Sequence, residues 1–379
     1  MPSAFNWDFD LHVPRYSGTA LSEFWFNFLI MNIIFLLVSR YKFHSQEKKG
    51  LWFALLLFCL YAFWDTDYFS FARVFYEGLE DFRDPIYQYI AKISFGSYIV
   101  FRFWIWGGAI LLVRDTAKRF KLNENNFCFV FTVFFLLTFS YARVSLGMAL
   151  YFWGLSFLLI KDRAFFYRFL KVVVSFIFAY WAHRSMLVII LLTPLAFIKL
   201  TKKKIVFLAV LLPFIILSIQ IVLGNIIAGT LLSGENEFSQ SALGYAQSAI
   251  EVSFNWKWEL ITTLRYWSFY IALIYILYIF FIKNKWKDCT SEIRSLLTLT
   301  LFIIIIAVTI LVIAGNKILG LWVVGYRYLY MSGIPLCIIM SYLYQKNIFN
   351  KRELRLLLLF PFFYAELFIL GKILTMQFA

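Results

Sequence analysis

The chain has 379 residues, of which 62% are hydrophobic, 22% aromatic and only 15% charged. An average soluble domain carries about 25% charged residues, so a soluble fold has nowhere to hide this much apolar surface. The formal net charge of +15 does not mark a nucleic-acid partner, because Lys and Arg form short clusters between long apolar runs, with no basic stripe or stacking motif.

Residues 1 to 21 hold Asp8, Asp10, Pro14 and Arg15 where a cleavable signal needs a basic start and an apolar core, so the first apolar run is read as a span. A helix must present about 20 mostly apolar residues to cross a hydrocarbon core about 30 Å thick. By that measure the candidate spans are 22–39, 50–64, 95–113, 127–142, 144–160, 169–182, 184–198, 204–223, 264–282, 295–314, 325–344 and 354–373. The predicted fold is therefore all-α, a polytopic integral membrane protein of about 12 transmembrane helices, organised as a single membrane domain over 1–379. The pairs that meet near Arg143 and His183 are nearly fused, and each is alternatively one bent re-entrant element. The cysteines Cys59, Cys128, Cys289 and Cys337 form no CxxC and no paired framework, which argues against structural disulfides and a zinc site.

Basic residues near span ends resist translocation, so loops rich in Lys and Arg mark the cytoplasm. The loops 40–50, 114–121, 161–171, 199–204, 283–294 and 346–355 carry four Lys or Arg each, which puts 24 of the 36 on one side. Both termini then face outward. The inner loops are all short. The outer face has two larger extracytoplasmic loops, about 65–94 and 224–263. The first has aromatics at helical spacing with acids between them, the pattern of an interfacial amphipathic helix. The second is richer in Gly, Ser, Asn and Gln.

Ionisable residues inside or bordering a bilayer are costly and are candidates for function. Arg143 stands at the junction of two spans, His183 and Arg184 in the tight turn AHRS, Arg265 and Arg327 at the entry of two further spans, all at the outer boundary. Guanidinium groups grip phosphate oxygens bidentately and stay charged in a low-dielectric site, which suits an anionic lipid head group, best a diphosphate. Snorkelling to phospholipids is the plainer account of any one of them. Asp65, Thr66 and Asp67 form a short DxD, a spacing that suits a divalent cation, a general base or a solvated turn. Arg102 and Glu366 are inset from the same side and are expected to pair, since a buried charge needs a partner; the alternative for Arg102 is a substrate cavity.

These features, in this order, resemble the Wzy and EpsG type of membrane polysaccharide polymerase, which extends O-antigen, capsule or exopolysaccharide chains. The resemblance rests on Asp67 and Tyr68 in the first outer loop; on Arg143 followed by Ser145, Gly147 and Ala149; on Tyr180 and Trp181 approaching His183 and Ser185; on the long outer loop; and on Tyr326, Arg327, Tyr328 and Tyr330. Phe71 and Val144 stand where the family usually has Tyr and often has Gln. The resemblance implies a glycosyltransferase that moves a growing glycan from undecaprenyl diphosphate onto a lipid-linked repeat unit. It implies a multi-pass protein of the bacterial inner membrane with its active site facing the periplasm or exterior. Arg143, Arg184, Arg265, Arg327 and Arg102 would bind the substrate, with His183, Asp67 and Arg143 as candidate catalytic groups. No cofactor or metal is implied. The expected partners are the undecaprenyl-diphosphate-linked oligosaccharide, membrane lipid and a chain-length regulator. Trp256, Trp258, Tyr245 and the first-loop aromatics would stack on sugars or form an interfacial belt. An O-antigen ligase using the same carrier is the nearest rival; a flippase is less favoured, because its charges belong near the midplane on broken helices.

Overall fold

A computed structural model of the chain describes residues 18–40, 45–60, 72, 74–76, 84–141, 144–162, 164–198, 201, 204, 256–314 and 321–377. The described elements are all helical. In chain order they are α1 (Gly18–Arg40), α2 (Ser45–Leu60), α3 (Pro85–Lys92), α4 (98–119), α5 (124–141), α6 (Ser145–Leu159), α7 (Phe165–Ala182), α8 (Met186–Leu192), α9 (256–282), α10 (Ser291–Ala314), α11 (Leu321–Met331), α12 (Gly333–Gln345) and α13 (Lys351–Gln377). A helix covers each expected apolar segment that is described; 205–223 lies outside the described residues. Among the described residues three stretches, Phe165–Ala182, Ser291–Leu311 and Lys351–Gly371, are long and apolar enough to cross a membrane, and shorter apolar helices accompany them. The chain divides into two compact units, one of residues 1–191 with 333–379 and one of residues 192–332.

Helix α7 shows the membrane character most directly. Its inward face carries Val172, Ser175, Ala179 and Ala182, while Phe165, Phe166, Phe169 and Ile177 are exposed. Small residues face the neighbour and large apolar ones face out, the arrangement of helices that meet in lipid, where close backbone approach rather than hydrophobic burial drives association. The partner is α6. A Cβ built on Gly154 would lie 1.7 Å from the Ser175 Oγ, and one on Gly147 would lie 3.2 Å from the Ala179 carbonyl oxygen and 2.9 Å from the Met186 Cγ. Glycines seven residues apart thus open a seam on α6 into which α7 and the start of α8 fit. Tyr151 between them stacks on Phe176 at 5.0 Å between centroids and donates to the Ile189 carbonyl.

Several basic loops meet at one end of the first unit. Arg119 bonds Asp162 at 3.0 Å and donates from Nε to the Ser156 Oγ at 2.8 Å. Gln345 accepts from the Asn123 N–H and donates to the Lys121 carbonyl. Glu124 receives Arg114 and Lys118 at 3.3 and 3.4 Å and the Trp52 indole N–H at 3.3 Å. Burial opposes ionisation of Glu124, but Arg114, the Trp52 bond and Lys118 together outweigh it and hold the carboxyl below its ordinary value. Helix ends here are well capped. Asn123 accepts from the Asn125 and Asn126 amides, and Asn350 and Glu353 form a reciprocal capping box.

In the first outer loop, the expected amphipathic element is α3. It buries Tyr87 and Ala91 and leaves Tyr89 exposed, with Ile93 and Phe95 exposed just beyond it. Helix α9 begins at Trp256, within the segment 224–263 expected as the second outer loop.

Candidate functional site

The opposite end of the first unit gathers the flanks of the sequence-predicted site. His183 caps the C-terminus of α7 in an extended conformation, φ −164° and ψ 119°, with its N–H on the Ala179 carbonyl at 3.0 Å. The Met186 N–H returns to the His183 carbonyl at 2.9 Å, so the chain reverses into α8 within three residues. His183 is buried and Arg184 beside it is exposed. The Ser185 Oγ lies 2.6 Å from Nδ1 of His183, and the Ser185 backbone N–H donates to the same nitrogen at 3.3 Å. A main-chain N–H has only a proton to offer, so this contact calls for a lone pair on Nδ1, which in a neutral ring puts the proton on Nε2.

The seam at Gly147 sets the start of α6 against Ala179 and Met186, on either side of the His183 turn. Arg143 precedes that helix start by two residues and lies outside the described residues. The junction before α6 is held from within: Ser145 Oγ donates to the Phe139 carbonyl at 2.7 Å, and the Trp106 indole N–H donates to the same oxygen at 3.2 Å.

Arg102 is 1% exposed. Its Nε donates to the Leu60 carbonyl at 2.9 Å and its Nη2 to the carbonyls of Cys59 and, at 3.4 Å, Ser140; its Nη1 is 3.5 Å from the Tyr98 hydroxyl. The guanidinium carbon stands 4.1 Å from the Trp106 ring centroid, within the range of a cation–π contact. Arg102 is the last α-helical residue before a π turn, Phe103–Gly107, that brings Trp106 beneath it. The expected Arg102–Glu366 pair is not formed. Glu366 Oε2 accepts instead from Asn32 on α1 at 3.3 Å, because α13 packs against α1 and Arg102 is drawn to helix ends on α2 and α5.

The other sequence-predicted positions divide as follows. Asp65, Thr66, Asp67 and Tyr245 lie outside the described residues, as do the side chains of Trp256, Trp258 and Arg265, whose helix α9 is described. Arg327 is half-buried on α11 in the second unit, where Gly325 lets that helix approach Leu311 and Ala307 of α10. Of the first-loop aromatics, Phe75 is buried against Tyr98 and Phe101, with ring centroids 5.8 and 5.2 Å apart, and is core rather than a sugar platform. Among the described residues no group of three His, Cys, Asp or Glu side chains is arranged to hold a metal ion. Sequence reading passed over Trp106 and the carbonyls of Cys59, Leu60 and Ser140, and main-chain acceptors leave no mark in a sequence. Comparison of the chain with models of protein families, with curated proteins and with solved structures finds no match.

Proposed function

We propose that this chain is a membrane glycosyltransferase that polymerises lipid-linked repeat units at the outer face of a bacterial inner membrane. The observation that carries the reading is the convergence, within one compact unit, of the ends of α2, α5 and α7 with the start of α6. These are the elements from which Asp65 and Asp67, Arg143, and His183 with Arg184 extend in sequence. The basic loops 114–121, 161–171 and 346–355 lie toward the far end of the same unit. A carrier diphosphate at the outer boundary would meet cations there and not at the midplane.

In the transfer, the acceptor hydroxyl oxygen bonds to the anomeric carbon at the reducing end of the growing glycan. The bond from that carbon to the diphosphate oxygen breaks, and its electron pair leaves with undecaprenyl diphosphate. Arg143 and Arg184 of this unit are the candidates to hold that diphosphate and stabilise the charge that develops on it. His183, with Ser185 held against its Nδ1, is the candidate to donate to an anionic oxygen of the substrate. The hydroxyl proton then falls to Asp67.

The test is Arg143→Lys beside Arg143→Ala in a deletion strain, with surface glycan lengths as the readout. Lysine keeps the charge and loses the planar fork, so a bidentate role leaves single repeat units on their acceptor in both variants. Wild-type ladders in both would remove Arg143 from the site, and intact polymer held on the carrier would mark a ligase.

A further inference from the structure

We infer that Arg102 is a positioning residue: it ties the last described turns of α2 and α5, each followed in sequence by a segment with candidate site groups, to one point. That these segments carry the site rests on the polymerase reading above; the tie itself does not.

An α-helix ends with carbonyls that have no partner inside the helix. In an apolar surrounding each one left unpaired is costly. Cys59 and Leu60 are the last two residues of α2, and Ser140 is the penultimate residue of α5. One guanidinium reaches all three carbonyls, Leu60 from Nε and the other two from Nη2. Its positive charge therefore sits against carbonyl oxygens of two helices, whose partial negative charge stabilises a cation. The Trp106 face and the Tyr98 hydroxyl complete the setting. Trp106 also bonds the Phe139 carbonyl one residue before Ser140, so arginine and tryptophan hold the same helix end by adjacent carbonyls.

This arrangement is unlike a ligand site. A phosphate-binding arginine keeps donors for its ligand, whereas this one is 1% exposed and engages main-chain oxygens on two different helices. In the sequence, Asp65 follows Leu60 by five positions and Arg143 follows Ser140 by three. Lysine cannot take over, because a compact ammonium on a flexible stem lacks the rigid fork that spans two helix ends.

The experiment uses the full chain in lipid nanodiscs, with Arg102→Lys, Arg102→Met and the milder Trp106→Phe, which removes the indole donor. Amide hydrogen exchange is read over 55–60 and 136–141, with 291–314 of the second unit as an internal control. In parallel, polymer formation is followed on a purified lipid-linked repeat unit. The tie predicts at least tenfold faster exchange at the two helix ends with the control unchanged, and a smaller rise in Trp106→Phe. It also predicts that kcat falls on the order of 100-fold, as small misplacements of reacting groups do, while KM stays within about threefold. Unchanged exchange at both helix ends in Arg102→Lys and Arg102→Met overturns the tie. A rise in KM alone, with kcat kept, makes Arg102 a ligand-binding group and overturns the positioning role. If the wild-type chain polymerises nothing, the polymerase reading fails and the exchange measurement still decides the tie; if Arg102→Met does not fold, Arg102→Lys and Trp106→Phe decide it.

Discussion

Replacing Gly154 by alanine tests whether the α6–α7 seam is as tight as its geometry requires. The new Cβ would fall 1.7 Å from the Ser175 Oγ, 3.0 Å from the Ser175 Cβ and 3.2 Å from the Phe176 Cε1. Rotating the hydroxyl away relieves the first contact but gives up its bond to the Val172 carbonyl, worth about 1 kcal/mol. The Cβ–Cβ approach remains and involves atoms fixed to two helix backbones, so the helices must part by a few tenths of an ångström. Overpacking of this kind costs about 1–3 kcal/mol, against about 1 kcal/mol regained from the better helix propensity of alanine. The net expectation is a loss of about 1–3 kcal/mol, the balance of those terms. Ser175→Gly removes both clashing atoms, so the double variant should recover about 1–2 kcal/mol relative to the sum of the two single changes. Reversible unfolding by SDS in mixed micelles, followed by tryptophan fluorescence, reads all four proteins. If Gly154→Ala were as stable as the parent, or the double variant merely additive, the close approach of α6 and α7 would be wrong.

The Nδ1 acceptor geometry of His183 predicts that His183→Gln, which places an amide donor near the former Nε2–H, keeps polymerisation within about tenfold, while His183→Asn and His183→Ala fall by about 100-fold or more; glutamine as poor as alanine would restore His183 as the base. ¹⁵N spectra of histidine-labelled protein should show the Nε2–H tautomer at this position, and a protonated Nδ1 in the neutral ring would contradict the bonds from Ser185. Glu124 has a folded-state pKa held below its unfolded value, so its contribution to stability is fully present above about pH 4.3 and is lost as the pH falls through the lower folded value. Wild type should therefore exceed Glu124→Gln in stability at pH 7 and converge with it in stronger acid; a gap that widened toward acid would reverse the sign. A cysteine at Ser239 should be labelled by an impermeant thiol reagent from the outer side, and labelling only after the inner membrane is breached would invert the topology and remove the basis of the proposed site.

The helices were legible because a long apolar run serves both as a span and as a packing face, and the ruler of hydrocarbon thickness needs no knowledge of neighbours. The pairing of loops into one basic end was legible for the same reason, and Arg119–Asp162 and Gln345 with Asn123 join loops that the Lys and Arg count had assigned to one side. What did not follow from sequence is direction around a helix axis. Arg102 and Glu366 share a depth, and equal depth suggested a pair; yet α13 turns Glu366 toward Asn32 of α1, while Arg102 turns toward the ends of α2 and α5. The general reason is that the strongest acceptors near a buried cation need not be side chains. Helix termini offer clustered carbonyls carrying a fraction of a negative charge, at positions fixed by where helices stop. A lone arginine within a span should therefore be weighed first as a cap for neighbouring helix ends. His183 carries the same lesson in miniature: the spacing His-x-Ser was visible, but the extended φ that lets both the Ser185 hydroxyl and its N–H reach Nδ1 is a property of the turn. That turn, more than the presence of an imidazole, decides which ring nitrogen meets Ser185.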